Sequence, residues 1–244
     1  MAEKREKFNL RRWLDDRLDL ATFLSSFSLT GWIYGPLDRR LNLRQALEKA
    51  LRKPIPTHVN WLYCFGGITL FLFGLQVLTG IMLAIYYKPT PHDAYASILY
   101  IDNVVPLGWL ARQVHAWCGH LLLLMLFLHM ARVFFHRAYR SPRELNWVVG
   151  VLLLIVCLTF GFTGSLLPWD QWAYWSTTTG TETIGGLPIL GETFLKLLRG
   201  GEGVTDATLT RFFALHALIL PWLITFLLVL HFAMVRRQGI SEPL

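Results

Sequence analysis

The stretch VHAWCGHLLLLMLFLHM, Val114 to Met130, decides how this chain is read. Its composition is that of a membrane interior, yet His115, His120 and His129 stand among the leucines. An ionisable ring placed in hydrocarbon is costly, so it marks either a functional position or a hydrogen-bonded core group.

The rest of the chain extends the first half of that reading. Of 244 residues, 54% are hydrophobic and only 16% charged, and the mean hydropathy of +0.42 belongs to an integral membrane protein. Four apolar runs lie at 59–86, 107–135, 147–167 and 212–235. Each supplies the ~20 residues needed to cross ~30 Å of hydrocarbon. The first fifty residues are charged and hold no apolar core with a cleavage site, so no signal peptide is expected. Cys64, Cys118 and Cys157 all fall inside apolar runs, which excludes an extracellular disulfide framework.

A net charge of +7 fits nucleic acid or a membrane surface, and its distribution selects the membrane. With four crossings, 18 of the 23 Lys and Arg fall on one face: residues 1–57, the loop 132–143, and Arg236 with Arg237. The positive-inside rule makes that face cytoplasmic and puts both termini there, as an even number of crossings requires.

Residues 1–57 form an N-terminal segment whose apolar and charged residues alternate at helical spacing. That pattern suits helices on the membrane surface, and soluble packing fits it equally well. Residues 58–244 form the membrane domain. The loop after the third run, 168–210, contains PWDQWAYW, TTTGTETIGG and LPILGETFLKLLRGGEG. Its tryptophans fit an interfacial belt, and its apolar pieces are too short to span, so short helices against the outer face are expected. The fold class is all-α: a four-helix transmembrane bundle with N-terminal surface helices and short helices in the third–fourth loop.

The histidines then fall into order. His115 and His129 are 14 residues apart in the second run, and His216 and His231 are 15 apart in the fourth. Both spacings are close to four helical turns, about 21 Å along the axis at 1.5 Å per residue. The second and fourth crossings run in the same direction. His115 therefore lies level with His216, and His129 level with His231. Two levels of two facing imidazoles are what two bis-histidine haems require. One membrane histidine reads more readily as a hydrogen-bonded core residue; four at matched depth do not. His120 is displaced from the His115 face, and His58, His92 and His136 sit outside the apolar interior; none is expected to be a ligand. Glycines repeat the spacing on the other two helices: Gly66 and Gly80, then Gly150 and Gly164, each pair 14 apart. Small-residue helix packing explains one such pair, whereas two pairs at the histidine spacing point to clearance for a flat macrocycle.

With these residues in place, NWLYCFGGITLF, QVLTGIMLAIYY, RELNWVVGV, GFTGSLLPWDQWAYW, LTRFFALHALILPW and HFAMVRRQGISEPL closely resemble the N-terminal, haem-bearing half of cytochrome b. More narrowly they resemble cytochrome b6, the split form of cytochrome b6f complexes and of bacterial menaquinol:cytochrome c reductases. The resemblance runs from about Pro56 to Leu244. It implies His115 with His216 as axial ligands of an outer haem b, and His129 with His231 as ligands of an inner one. It also implies that Cys64, in the YCFGG stretch, carries an additional haem through a single thioether. On the residues alone, Cys64 reads as a buried thiol like Cys118 and Cys157. Arg112 and Arg132 stand where they can meet haem propionates or snorkel to the interface. Arg236 is implied as a propionate or quinone contact. A quinol pocket is expected on the outer side around Gly161, Gly164, Pro168, Trp169 and Trp175.

By this resemblance the chain carries electrons across a bacterial cytoplasmic or photosynthetic membrane, within a proton-translocating quinol:cytochrome c or plastocyanin reductase. Its implied partners are a subunit IV-like C-terminal half of cytochrome b, a Rieske iron–sulfur protein, a c-type cytochrome and a second copy of the complex, with no nucleic acid. Two alternatives stay open. A di-haem membrane anchor would pass electrons between a dehydrogenase or hydrogenase and quinone. A porter would use the histidines as proton relays and would be colourless.

Overall fold

The computed structural model describes residues 57 and 59–241. The expected surface helices of residues 1–57 lie outside the described residues, apart from Thr57. Among the described residues every regular element is helical. A 3₁₀ turn, Trp61–Cys64, leads into α1, Phe65–Ala84; the Asn60 side chain accepts from the Leu62 N–H and starts the turn. Then follow α2, Ala94–Asn103; α3, Gly108–Phe135; and α4, Glu144–Leu166. The loop 167–205 contains α5, Gln171–Gly185, and α6, Gly191–Arg199. α7, Asp206–Ala214, passes through a π-helical turn, Leu215–Ile219, into α8, Leu220–Gln238.

Among the described residues four segments are long and apolar enough to cross a membrane: Trp61–Ala84, Gly108–Phe135, Glu144–Leu166 and Asp206–Gln238. The last is longer than its apolar run because the polar α7 continues into it without a break. Two short helices in the third–fourth loop are present as expected. Local chemistry sets their ends. Asp170 caps α5 by accepting from the Ala173 N–H, Gly200 ends α6 at φ +83°, and Thr205 and Thr208 close a capping box at α7. A buried arginine ties this loop together. Arg199, 5% exposed, donates to Thr181 Oγ1 at 2.7 Å, to the Thr178 carbonyl at 2.9 Å and to the Glu202 carbonyl at 3.1 Å.

The crossings pack mainly as two pairs, α1 on α3 and α4 on α8. Their shared core is an apolar layer containing Leu72, Leu122, Val156, Cys157 and Ile224. Leu122 is seven residues from both His115 and His129; Cys157 is seven from both Gly150 and Gly164. The layer therefore sits midway between the two histidine levels and separates them. Cys118 and Cys157 are buried free thiols in it, as small hydrophobes should be. Outward-facing Phe71, Leu78, Trp117, Phe127, Ile155, Phe226 and Val229 remain exposed on the bundle. That surface belongs in lipid or against other membrane chains, because water would penalise it.

Candidate functional site: two histidine levels

His115 on α3 and His216 in the π turn face each other with ring centroids 6.4 Å apart and planes at 70°. Two imidazoles whose nitrogens each lie about 2 Å from one metal ion place their centroids roughly 6 Å apart. The pair thus has the separation of two axial ligands on one iron. Among the described residues no three His, Cys, Asp or Glu side chains converge as a metal cage. A two-histidine donor set suits an iron whose remaining nitrogens come from a macrocycle.

The second level is built on the same helices one apolar layer away. His129 and His231 line a cavity of about 300 Å³ together with Gly66, Gly150, Arg132 and Arg143. The Nδ1 atoms of both histidines and the Nε atoms of both arginines are buried with no hydrogen-bond partner among the described residues. Buried polar groups are ordinarily satisfied. The two arginine donors fit an absent, negatively charged group, as haem propionates would be.

Each glycine answers one histidine of its own helix pair. A Cβ on Gly164 would lie 2.6 Å from His216 Cε1, and on Gly66 3.2 Å from His129 Cε1. On Gly80 it would lie 3.3 Å from His115 Cε1, and on Gly150 3.8 Å from His231 Cε1. The space the glycines leave is taken in the first place by the imidazole edge, which lets each ring lie flat on the neighbouring backbone. The four glycines, expected to clear a flat macrocycle, adjoin the histidine rings here, a matching that spacing alone does not show because the helix partner of each histidine has to be known.

The π turn around His216 went unanticipated, although its signal was present. Pro221 has no N–H to give the carbonyl four residues back, so the helix widens before it. The arginines divide. Arg132 points into the second level, its guanidinium 4.7 Å from the centre of the Tyr63 ring. Arg112 is taken up by Asp102, Nε to Oδ1 at 2.6 Å. Arg236 is exposed at the end of α8 and does not line the cavity. Arg143, which sequence reasoning passed over, does line it and reaches the Gln238 carbonyl at 3.4 Å. Cys64 is exposed at the foot of α1, next to the cavity-lining Tyr63 but outside the cavity.

The residues expected to form an outer quinol pocket are only partly gathered. An open groove along α5 is lined by Phe162, Gln171, Trp172, Trp175, Ser176, Thr179 and Gly180. Of the expected residues, only Trp175 lines it. A Cβ on Gly161 would meet Leu123, and Gly164 backs His216. Trp169, in left-handed backbone at φ +54°, turns onto Tyr174. Residues 161 and 164 point to other sides of α4 than Phe162, so they do not line this groove.

Comparison with known proteins agrees with this architecture. Residues 50–239 match the family described as Cytochrome b/b6/petB. Cytochrome b6 of Rippkaea orientalis is 45% identical over 212 residues, 87% of this chain and 96% of the relative. Cytochrome b6 of Synechocystis is 46% identical over 205 residues, 84% and 92% of the two chains. A chain of a solved hyperthermophilic respiratory Complex III superposes with a TM-score of 0.79 at 35% identity. That alignment covers 88% of this chain but 56% of the other, so the chain spans little more than half its length. The histidine levels, the glycines backing them and these relatives lead to one conclusion: the chain belongs to the cytochrome b/b6 family, haem-binding multi-pass membrane proteins of electron transport.

Proposed function

We propose that this chain is the transmembrane electron conductor of a proton-translocating quinol:cytochrome c or plastocyanin reductase. His115 and His216 hold one haem b toward the outer face, and His129 and His231 hold a second toward the cytoplasmic face. The observation that carries the reading is the opposed His115–His216 pair at 6.4 Å, repeated in kind by two histidines lining one cavity. The haems supply one-electron transfer; the protein positions them and tunes their potentials.

This chain's residues then have definite tasks. The four histidines set the two stations about 21 Å apart along the helix axes. The apolar layer of Leu122, Cys157 and Ile224 keeps water from the space between them. Arg132 and Arg143 neutralise propionates at the second level. Trp175 and Phe162 give the α5 groove an aromatic wall suited to a quinol ring. Exposed Cys64 carries a further haem through one thioether, outside the four-helix interior. A subunit IV-like partner, a Rieske protein and a c-type cytochrome complete a dimeric complex, with both termini of this chain in the cytoplasm of a bacterial or photosynthetic membrane.

Purification of the complex from its native membrane tests the assignment. A Rieske cluster in the preparation, seen by electron paramagnetic resonance, is the expected result. A molybdenum or nickel–iron partner in its place would overturn it in favour of a membrane anchor. Haem staining of the denatured 28.1 kDa band should persist in wild type and vanish in Cys64→Ala; an unstained wild-type band removes the covalent haem.

A further inference from the structure

An imidazole that binds iron through one ring nitrogen carries its proton on the other, and the partner of that proton tunes the ligand. At the His115/His216 level both partners are visible. Thr79 Oγ1 lies 2.9 Å from His115 Nδ1, and Thr163 Oγ1 lies 3.0 Å from His216 Nδ1. A threonine hydroxyl has one proton to give. That of Thr79 goes to the Leu75 carbonyl at 2.6 Å; that of Thr163 goes to the Thr159 carbonyl at 2.8 Å. Each hydroxyl oxygen is left to accept, so Nδ1–H donates and Nε2 stays unprotonated, free to bind a metal. Both threonines are buried, at 6% and 1% exposure, so water does not compete.

The other level lacks this device. His129 Nδ1 and His231 Nδ1 are buried without a hydrogen bond of good geometry among the described residues; backbone carbonyls of Gln76, Phe160 and Asn146 approach His115, His216 and His231 alike, so the hydroxyls are what the second level lacks. The sequence shows why. Thr79 and Thr163 immediately precede Gly80 and Gly164, whereas Phe65 and Val149 precede Gly66 and Gly150. At equivalent positions of the same helices, one level has two hydroxyls and the other has none.

We propose that Thr79 and Thr163 are positioning residues that lock the Nδ1–H tautomer of His115 and His216 and lower the reduction potential of the haem they hold. A ring that donates from Nδ1 is a stronger electron donor through Nε2, and stronger axial donation favours ferric iron. The threonines thereby bias an electron at this level toward the His129/His231 level. The inference rests on the bis-histidine assignment made above.

Potentiometric titration of the purified complex, following the α-bands of the two b haems separately, tests it. Thr79→Val and Thr163→Val keep the shape and remove the acceptor. Each should raise the potential of the His115/His216 haem alone. The double variant should reduce the equilibrium preference for the second level about tenfold, which is 59 mV for a one-electron couple. Thr79→Ser and Thr163→Ser keep the hydroxyl and should titrate as wild type. Val149→Thr, a near-isosteric change next to Gly150, which backs His231, should lower the other haem's potential instead, and it decides the matter if the valine variants lose haem. Unmoved potentials in valine variants with both haems, equal shifts in the serine variants, or an unmoved Val149→Thr would each overturn the proposal. A wild-type complex with fewer than two b haems would overturn the ligand assignment itself.

Discussion

The two ends of the bundle use the same helices, nearly the same histidine spacing and the same glycine backing, yet they differ in charge and in hydrogen bonding. At the His115/His216 level the nearby Arg112 is paired with Asp102, and both ring N–H groups have hydroxyl acceptors. At the His129/His231 level Arg132 and Arg143 bring to the cavity Nε groups unpaired among the described residues, and the ring N–H groups find no hydroxyl acceptor there. Positive charge near a haem favours its reduced form, and a donating ligand favours its oxidised form. Both differences therefore point the same way, toward the His129/His231 level as the electron acceptor. In the proposed arrangement helix geometry sets where the two haems lie, and a few polar contacts set which way charge flows between them.

Removing a ligand should break the comparison most severely. His129→Ala is expected to abolish the b haem of its own level and leave the other spectrally intact, read from low-temperature absorption spectra. Loss of both haems would show that the levels are not independent, and retention of both would contradict His129 as a ligand. Next come the glycines. Gly164→Ala places a methyl 2.6 Å from His216, whereas Gly150→Ala leaves 3.8 Å to His231. Overpacking of the first kind costs about 1–3 kcal/mol, so haem content at the His115/His216 level should fall while Gly150→Ala binds near-normal haem. Equal losses in the two variants would remove the glycine–histidine matching.

Charge should have a subtler effect. Arg132→Gln is expected to lower the potential of the His129/His231 haem with little change at the other level, in a titration resolving both bands. A shift confined to the wrong level would contradict the placement of Arg132. The smallest effect on the two levels is expected from Arg199, which serves α5 and α6 and neither haem. Arg199→Lys cannot reproduce its several hydrogen bonds and should loosen that loop by roughly 2 kcal/mol. Faster amide exchange over 178–202 with unchanged haem spectra is the outcome that fits.

Much of this was legible in the sequence, for a physical reason. Crossing a membrane imposes length and apolarity, so four spans stand out from composition alone. The helical period then converts spacings of 14 and 15 into matched depths. What eluded the sequence depends on which helix packs on which. Gly164 serves the ring of His216 because α4 pairs with α8, and nothing in a linear spacing fixes that pairing. The threonine contacts share this origin, though the repeated Thr–Gly pairs at 79–80 and 163–164 were a readable sign. Arg143 reaches the cavity from a loop position with no periodicity to place it. The α5 groove selects Phe162 and Trp175 but not Gly161, because neighbours in sequence face different sides of a helix.

The central claim is that four histidines hold two haems in two separate levels. Pyridine haemochrome quantification on the purified complex, set against the amount of this 28.1 kDa chain, tests it most directly. Two extractable b haems per chain are expected in wild type and one in each of His115→Ala, His129→Ala, His216→Ala and His231→Ala. One b haem per wild-type chain, or two remaining in any of the four variants, would contradict it.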